Sequence, residues 1–274
     1  MDNRLATITV ILGLAVTCFG ACVETPTGLK LETAGRTVWA FEIENPEGKP
    51  FIHPLTLPDG RVITDARPAD HTWHLGAWFC WKYLNGVNYW EPANEKTVKP
   101  AGATLLRSRK IALRGDAAEV DLTLAYAPRT TPDAVVLTET RHVAFSAPDA
   151  DGHYRITSRH HFTAQRAVTL ERTPPYLHNE GTNSVWGGGY SGFGLRLVPG
   201  VAAFKATSSC GGTGQKEIIE KERHWTDYSD PATGHGVRLS VIKGTPAARF
   251  YHWTDHRFSC PSVVFSAPLT LKPG

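Results

Sequence analysis

Apolar and polar residues alternate along many short segments of this chain. The clearest segment runs from Glu119 to Tyr126, where Val120, Leu122 and Leu124 occupy every second position before Tyr126. Because successive side chains of a strand point to opposite faces, this pattern predicts a strand with one buried face. Further strands are predicted at residues 37–43, 51–57, 135–145, 154–162, 168–172, 237–242, 248–253, 262–265 and 269–271. We expect segment 168–172 to be the hairpin partner of segment 154–162.

The composition agrees with an all-β chain. The sequence has 274 residues, 25 glycines, 19 prolines and a single methionine, which is typical of a protein rich in turns. Only residues 215–223 show helical propensity, and without capping residues a strand is equally compatible with this segment. No repeat or linker divides the chain, so residues 23–274 are predicted to form one large antiparallel β-sandwich, which is truncated at its C-terminus.

Two charged residues stand on the apolar side of the predicted strand 135–145. Glu139 and Arg141 share their parity with Leu137 and Val143. Burying such charges costs several kcal/mol each, roughly, unless they pair or line a wet cleft. A buried ion pair and a binding cleft are both open interpretations of this pattern.

The N-terminus has the layout of an export signal. Arg4 precedes an apolar run that ends at Gly20, followed by Ala21 and Cys22. The run is shorter than the roughly 20 residues that a membrane span needs, so residues 1–22 are predicted to be a signal peptide. Phe19 to Cys22 is similar to a lipobox, and we expect a periplasmic or outer-membrane protein whose membrane contact, if any, is a lipid on Cys22.

Charge and cysteine content limit the partners. The net charge of +3 comes without long runs, which gives no support to a nucleic-acid partner. Cys80, between Phe79 and Trp81, is predicted to be a core thiol. A disulfide between Cys210 and Cys260 is an open alternative.

Histidines and tryptophans concentrate between His53 and Trp90, in a stretch that is predicted to be a long loop entering a strand. One interpretation is a carbohydrate cleft in which aromatic rings stack on sugars. His71 or His74 would be the acid/base, with Asp70 or Glu139 holding its tautomer. Arginine would stabilise an enolate formed next to a carboxylate, with Arg141 and Arg196 as candidates. The predicted substrate-binding residues are His53, Trp73, Trp78, Trp90, Tyr190 and Arg196.

Three other interpretations compete. His53, Asp70, His71 and His74, together with His160, offer enough ligands for zinc or iron, although their spacing matches no defined motif. A glycan-binding protein without catalysis would need only the aromatic residues. In the third interpretation the tryptophans are core residues and the histidines bond to backbone. The sequence identifies no cofactor, and a divalent metal is the one that these ligands would allow.

Several motifs resemble one family of secreted bacterial proteins, the family that carries the label "methane oxygenase PmoA". They are His53-Pro54, Pro58-Asp59-Gly60, Asp70-His71-x-x-His74-x-Gly76, Asn85-Gly86-x-x-Tyr89-Trp90, Gly188-Gly189-Tyr190-x-Gly192 with Arg196, and Trp225-x-Asp227-Tyr228. The resemblance implies a β-sandwich protein from organisms that degrade polysaccharides. A galactose-mutarotase-like supersandwich is one form of such a sandwich. This sequence departs from the family at Thr72-Trp73, where members usually have a histidine-containing pair. The departure weakens the case for a metal site built from several histidines.

The activity in that label is not expected here. A particulate methane monooxygenase crosses the membrane several times, whereas this chain has one apolar run of leader length. We therefore predict an exported carbohydrate-active protein, a lyase, epimerase or hydrolase with histidine and arginine acid–base chemistry. The alternatives are a non-catalytic glycan-binding protein and a metal-dependent enzyme.

Overall fold

The computed structural model describes residues 20–91, 101–174, 176–178, 185–218, 224–242, 247–253 and 257–274. The described chain is nearly all β, as predicted. In chain order its strands are β1 Ala21–Glu24, β2 Gly28–Thr33, β3 Arg36–Glu42, β4 Phe51–Leu55, β5 Ala77–Cys80, β6 Tyr83–Leu84, β7 Val87–Asn88, β8 Gly102–Arg114, β9 Ala117–Pro128, β10 Leu137–Phe145, β11 Ile156–Ala164, β12 Val168–Glu171, β13 Tyr176–His178, β14 Val185–Gly187, β15 Gly192–Arg196, β16 Lys205–Ser208, β17 Trp225–Ser229, β18 Gly236–Ser240, β19 Arg249–Trp253, β20 Phe258–Ser262 and β21 Leu269–Leu271. A 3-10 turn spans Pro199–Ala203, and the short helix α1 spans Gln215–Ile218.

Two antiparallel sheets pack face to face. The larger has eight strands in the order β1-β2-β3-β4-β5-β15-β20-β19, and the second has four in the order β11-β10-β9-β8. Between them Trp39 stacks on Phe145 with ring centroids 4.1 Å apart, and Val120, Leu122 and Leu124 are at most 2% exposed. The predicted parity of segment 119–126 is thus confirmed, and apolar burial of this kind stabilises the sandwich.

A second core lies on the other side of β5. Trp78, Trp90 and Phe258 pack there together. This core continues to the small sheet β21-β12-β6-β7, while β16-β17-β18 and β13-β14 form separate sheets. Strand β5 therefore has protein on both faces, and the loop that precedes it is held at the border of the second core.

The predicted hairpin between segments 154–162 and 168–172 is wrong. Strand β12 exists, but its Leu170 is paired with Leu84 of β6 and Leu269 of β21. The strand predicted at 262–265 is also displaced, since β20 ends at Ser262 and Val264 and Phe265 pack into the core from a turn. Alternation identifies the buried face of a strand, but it does not identify the neighbouring strand.

Of segment 215–223, for which helix and strand were both open, the structure describes only the short helix Gln215–Ile218, because residues 219–223 lie outside the described part of the chain. Cys80 is a core thiol, 1% exposed, as predicted. Cys210 is exposed and Cys260 is buried, and no disulfide joins the two.

The residue proposed to carry a lipid lies in strand β1. Cys22 is 7% exposed and belongs to the core between the two large sheets. Burial and the nearby Asp116 raise the pKa of its thiol to about 11. A lipid on this sulfur would require the side chain to leave the core. Residues 1–19 of the predicted signal lie outside the described residues, and within the described ones no helix is long and apolar enough to span a membrane.

Candidate functional site

A loop of residues 65–76 carries the central histidines between β4 and β5. Its turns are closed by backbone hydrogen bonds, from His71 N to Pro68 O at 3.0 Å and from His74 N to His71 O at 2.9 Å. The backbone of Arg196 in β15 donates to Gly76 O at 2.7 Å and accepts from Asp65 N at 3.0 Å. The loop is therefore fixed to the edge of a central strand, as functional loops often are.

Glycine is required where this loop enters β5. Gly76 has a φ of +77°, and a Cβ at this position would lie 2.7 Å from Ile52 O. Only a residue without a side chain adopts this conformation at so short a distance from the neighbouring backbone. The entry fixes the direction in which His74 and its neighbours leave the sheet.

Three charged or titratable side chains form a chain at the protein surface, which we call the surface triad: Arg196, Asp70 and His71. Nη2 of Arg196 donates to both Asp70 oxygens, at 2.9 and 2.7 Å, and Asp70 Oδ2 lies 3.0 Å from His71 Nδ1. The Arg196 side chain is 0% exposed, Asp70 is 44% exposed and His71 is 30% exposed. Protein thus holds the inner end of the triad, and solvent reaches the outer imidazole.

The surface triad keeps its carboxylate ionised. Partial burial raises the pKa of Asp70, but the hydrogen bonds from Arg196 and His71 outweigh it and hold that pKa well below the usual value. An ionised Asp70 accepts the Nδ1 proton of His71, which leaves Nε2 of His71 as the nitrogen able to take or give a proton. This arrangement suits a histidine acid/base.

Arg196 has hydrogen-bonding capacity beyond Asp70. Its Nε and Nη1 atoms are buried and have no hydrogen-bond partner among the described residues. A buried donor without an acceptor costs about 1–3 kcal/mol, so acceptor oxygens that reach these two groups would be bound favourably. The sequence pointed to Arg196, although it could not show that two donors remain.

The aromatic residues divide into two groups. Trp78 and Trp90 are 1% exposed, so their ring faces are covered by protein and do not offer the sugar platforms that the sequence suggested. The reason is the second core, in which Trp78 packs on His74 at 5.1 Å and on Trp90 at 5.2 Å. Trp73 is half-buried, and its ring lies 5.2 Å from that of His71, edge to face.

His74 is a less accessible residue than His71. It is 5% exposed, and its ring stacks on His71 at 4.6 Å and on Phe258 at 4.8 Å. Of the two predicted acid/base histidines, only His71 combines a carboxylate partner with exposure to solvent. His74 supports the position of the His71 ring.

Tyr190 lies beside a buried ion pair that the sequence analysis missed. Nζ of Lys82 donates to Glu91 and lies 3.5 Å from the Tyr190 hydroxyl. Burial lowers the pKa of Lys82, and the charge of Glu91 opposes this shift. A lysine between Trp81 and Tyr83 in an otherwise apolar run was the signal that could have indicated it. Tyr190 itself is half-buried.

Glu139 and Arg141 belong to a second network, which we call the buried triad: Arg141, Glu139 and His160. Arg141 donates to Glu139 from Nε at 2.6 Å and from Nη2 at 3.0 Å, and His160 Nδ1 lies 2.7 Å from Oε1 of Glu139. The Tyr126 hydroxyl donates to the same carboxylate, and Ser158 Oγ lies 2.8 Å from His160 Nε2.

The buried triad is structural in its geometry. The side chains of Glu139 and Arg141 are 0% and 3% exposed. Burial raises the pKa of Glu139, but Arg141 and His160 outweigh it and keep the carboxylate ionised. Of the two interpretations of the strand 135–145, the structure corresponds to the buried ion pair.

The two triads do not converge on one cleft. No hydrogen bond joins them among the described residues. Trp78 and Phe79 are successive residues of β5 and point to opposite faces, and Trp78 packs on His74 whereas Phe79 packs on His160 at 4.3 Å. Glu139 and Arg141 therefore take no part in the arrangement around His71.

The predicted metal ligands are dispersed in the same way. His53 Nδ1 lies 3.0 Å from Thr64 Oγ1, and burial lowers the pKa of this histidine. In the described part of the chain, no three of His53, Asp70, His71 and His74 bring ligand atoms within 4.8 Å of one another. His160 is bound to Glu139 in the buried triad.

The fold and this site define an all-β protein of packed antiparallel sheets with a histidine–carboxylate–arginine triad at its surface. Within that class, the chain belongs to a family of unknown function, DUF6807, whose model matches residues 28–274. Comparisons with curated proteins and with solved structures found no match.

Proposed function

We propose that this protein is an exported carbohydrate-active enzyme in which His71 transfers the proton. The observation that carries the proposal is the surface triad. The partly exposed imidazole of His71 is oriented by its hydrogen bond with the ionised Asp70. Both oxygens of Asp70 are bound in turn by the fully buried Arg196. Holding a base in one tautomer and one position in this way favours general acid–base catalysis.

The reaction class that fits best is proton abstraction next to a carboxylate, as in elimination or epimerisation of a uronate. Glycoside hydrolysis usually needs one carboxyl with a raised pKa and a second that is ionised. Arg196 and His71 hold the pKa of Asp70 low, and the Glu91 carboxylate is bound by Lys82 and Asn88. Histidine is the side chain that serves most often as the general acid or base.

Two further residues would support the reaction. Arg196 would act through Asp70, because its own side chain is fully buried and it binds both oxygens of that carboxylate. The half-buried Trp73, at the edge of His71, would pack against the sugar ring. The resemblance to the family labelled "methane oxygenase PmoA" supports export and a polysaccharide-degrading context, although it does not support the activity in that label.

A screen of acidic and neutral oligosaccharides with mass-spectrometric detection tests the proposal. Elimination gives two fragments whose masses add up to that of the substrate, whereas hydrolysis adds one water. Epimerisation leaves the mass unchanged in water but incorporates deuterium from heavy water. We expect one of the two non-hydrolytic results with wild-type protein on uronate substrates.

Two variants and one treatment make the screen decisive. His71→Ala should slow product formation by about 10²-fold or more, whereas His153→Ala, which removes an exposed histidine 3.6 Å from Asp149, should not. Full activity of His71→Ala would refute the proposal. Saturable glycan binding without product or deuterium exchange would establish a binding protein instead, and activity that disappears with chelation and returns with zinc or iron would establish the metal-dependent alternative.

A further inference from the structure

The outer face of the four-stranded sheet forms a concave surface that no part of the proposed function uses. The cavity has a volume of about 560 Å³, within the range of roughly 300–1,000 Å³ for ligand sites. Its side chains form two rows across the four strands. One row is Lys110, Asp121, His142 and Arg159, and the other is Ser108, Thr123, Thr140 and His161. We call this surface the outer groove.

Polarity alone would not distinguish the outer groove, because outward faces of antiparallel sheets are usually polar. Its charge does. Asp121 is the single acidic residue in the lining, and it is bound to His142 at 2.8 Å. Lys110 and Arg159 are exposed at opposite ends of the first row, and their side chains form no hydrogen bond or ion pair with the described residues.

The hydroxyl and imidazole groups give the outer groove a second property. Each row crosses four strands spaced by about 4.8 Å, so it extends over about 14 Å. Threonine and serine hydroxyls both donate and accept hydrogen bonds, as the hydroxyl groups of sugars do. Thr123 and Thr140 occupy adjacent positions in the middle of the second row, between Ser108 and His161.

We propose that the outer groove binds an acidic polysaccharide, a chain of uronate units laid across the strands. Lys110 and Arg159 would bind carboxylates of the sugar units, and the guanidinium of Arg159 would do so with two parallel hydrogen bonds. The second row of the groove would bind sugar hydroxyls. Nucleic acid fits less well, because base-stacking proteins present tryptophan, tyrosine or phenylalanine in the groove. The lining of the outer groove contains none of these.

Binding at this surface is separate from the surface triad. The outer groove lies on the face of β8–β11 that points away from the eight-stranded sheet, whereas Arg196 belongs to β15 of that sheet. A chain bound there would hold the protein on its substrate without contact with His71. The proposal therefore does not depend on the proposed reaction, and it can be tested without turnover.

The test is affinity electrophoresis of the folded protein in native gels that contain polygalacturonate. The variant Lys110→Ala/Arg159→Ala removes both end cations. The control Arg155→Ala/Lys205→Ala removes the same charge from exposed positions outside the groove lining. We expect polygalacturonate to retard the wild-type protein and the control. The groove variant should bind about tenfold or more weakly, the loss expected for two charge-assisted contacts.

Further experiments decide which ligand the outer groove binds. A neutral glucan should not retard the protein, and circular dichroism should show that every variant is folded. The proposal is overturned by wild-type protein that is not retarded, by a neutral glucan that retards it equally, or by a control that loses as much affinity as the groove variant. Competition by single-stranded DNA at equal charge concentration would also overturn it, in favour of a nucleic-acid surface.

Discussion

The surface triad and the buried triad have the same chemical arrangement in two settings. In the surface triad, Arg196 binds Asp70, which binds His71, and in the buried triad Arg141 binds Glu139, which binds His160. The carboxylate of the first is 44% exposed, and that of the second is 0% exposed. The residues are equivalent, whereas the access of solvent is not.

The difference teaches that composition alone does not make a catalytic site. A histidine held by a carboxylate needs access for substrate and for protons, and His71 is the more exposed of the two triad histidines, at 30% against 14%. The buried triad instead satisfies charges between two sheets, where breaking a pair is costly. Each triad should therefore respond to mutation in a different observable: stability for the buried one and turnover for the surface one.

The largest expected effect is on stability. Arg141→Met should lower the free energy of unfolding by about 3–5 kcal/mol, because it leaves the Glu139 charge without its main partner. Urea denaturation at pH 7 measures this loss. The double variant Arg141→Met/Glu139→Leu should recover part of it, since both charges are then removed. A loss below about 1 kcal/mol for Arg141→Met would place this pair with ordinary exposed salt bridges.

The second effect is on turnover. His71→Ala should lower kcat on the active glycan by about 10²–10⁴-fold, the usual contribution of a general acid/base. Its stability should change by less than about 1 kcal/mol, because the ring is partly exposed. Kinetics and denaturation of the same preparation separate the two quantities. A variant with normal kcat but lowered stability would show that the surface triad, like the buried triad, contributes to stability and not to turnover.

Acid should distinguish the carboxylates. The folded pKa of Glu139 lies below its ordinary value of 4.5, so its stabilisation is complete above that pH and is lost as pH falls towards the folded pKa. The stability difference between wild-type protein and Glu139→Gln should therefore narrow between pH 6 and pH 3, about the range in which the unfolded carboxylate takes up its proton. Asp70→Asn should show a smaller difference at every pH, because the exposed Asp70 is screened by solvent. Equal pH profiles for the two variants would contradict the comparison.

One hydroxyl tests the buried triad more finely. Tyr126→Phe removes a donor to the ionised Glu139, and it should cost about 1.5–3 kcal/mol of stability. Tyr89→Phe is the matched control, because the buried Tyr89 hydroxyl has no hydrogen-bond partner among the described residues. That variant should be neutral or slightly stabilising. Equal losses in thermal unfolding would mean that Glu139 gains nothing from Tyr126.

The smallest expected effect concerns Trp73. Trp73→Ala should raise KM for the glycan about tenfold, the equivalent of one stacked ring, with little change in kcat. Steady-state kinetics measures both constants. Trp253→Ala is the control for loss of a half-buried tryptophan whose ring packs on Tyr251 at 6.1 Å. An unchanged KM for Trp73→Ala would remove Trp73 from the substrate site.

The sequence predicted which side chains of a strand face the core better than it predicted which strands pair with each other. The parity of Glu139 and Arg141 indicated that both side chains point inward, and they do. The alternation in β12 predicted a strand but assigned it the wrong partner, because register depends on contacts far apart in the chain. For the same reason Tyr126, recognised as an inward residue, could not be recognised as the donor to Glu139.

The candidate site was predictable in its parts but not in its assembly. Asp70, His71 and Arg196 were all identified as residues, and the structure brings the three together across 126 positions of sequence. Trp78 and Trp90 were identified as sugar platforms, but only packing shows that their faces are covered. Burial of an aromatic ring depends on what lies above it, and a local pattern does not contain this information.

Strand β10 also determines how the chain must align when it folds. Its inward residues are Glu139 and Arg141, and its outward ones include Thr140 and His142 of the outer groove. A slip of one residue would expose the ion pair and force Thr140 into the apolar core, since every side chain changes face. The charged pair therefore helps to specify the register of β10, because a chain shifted by one residue would bury the polar Thr140 and His142 in its place.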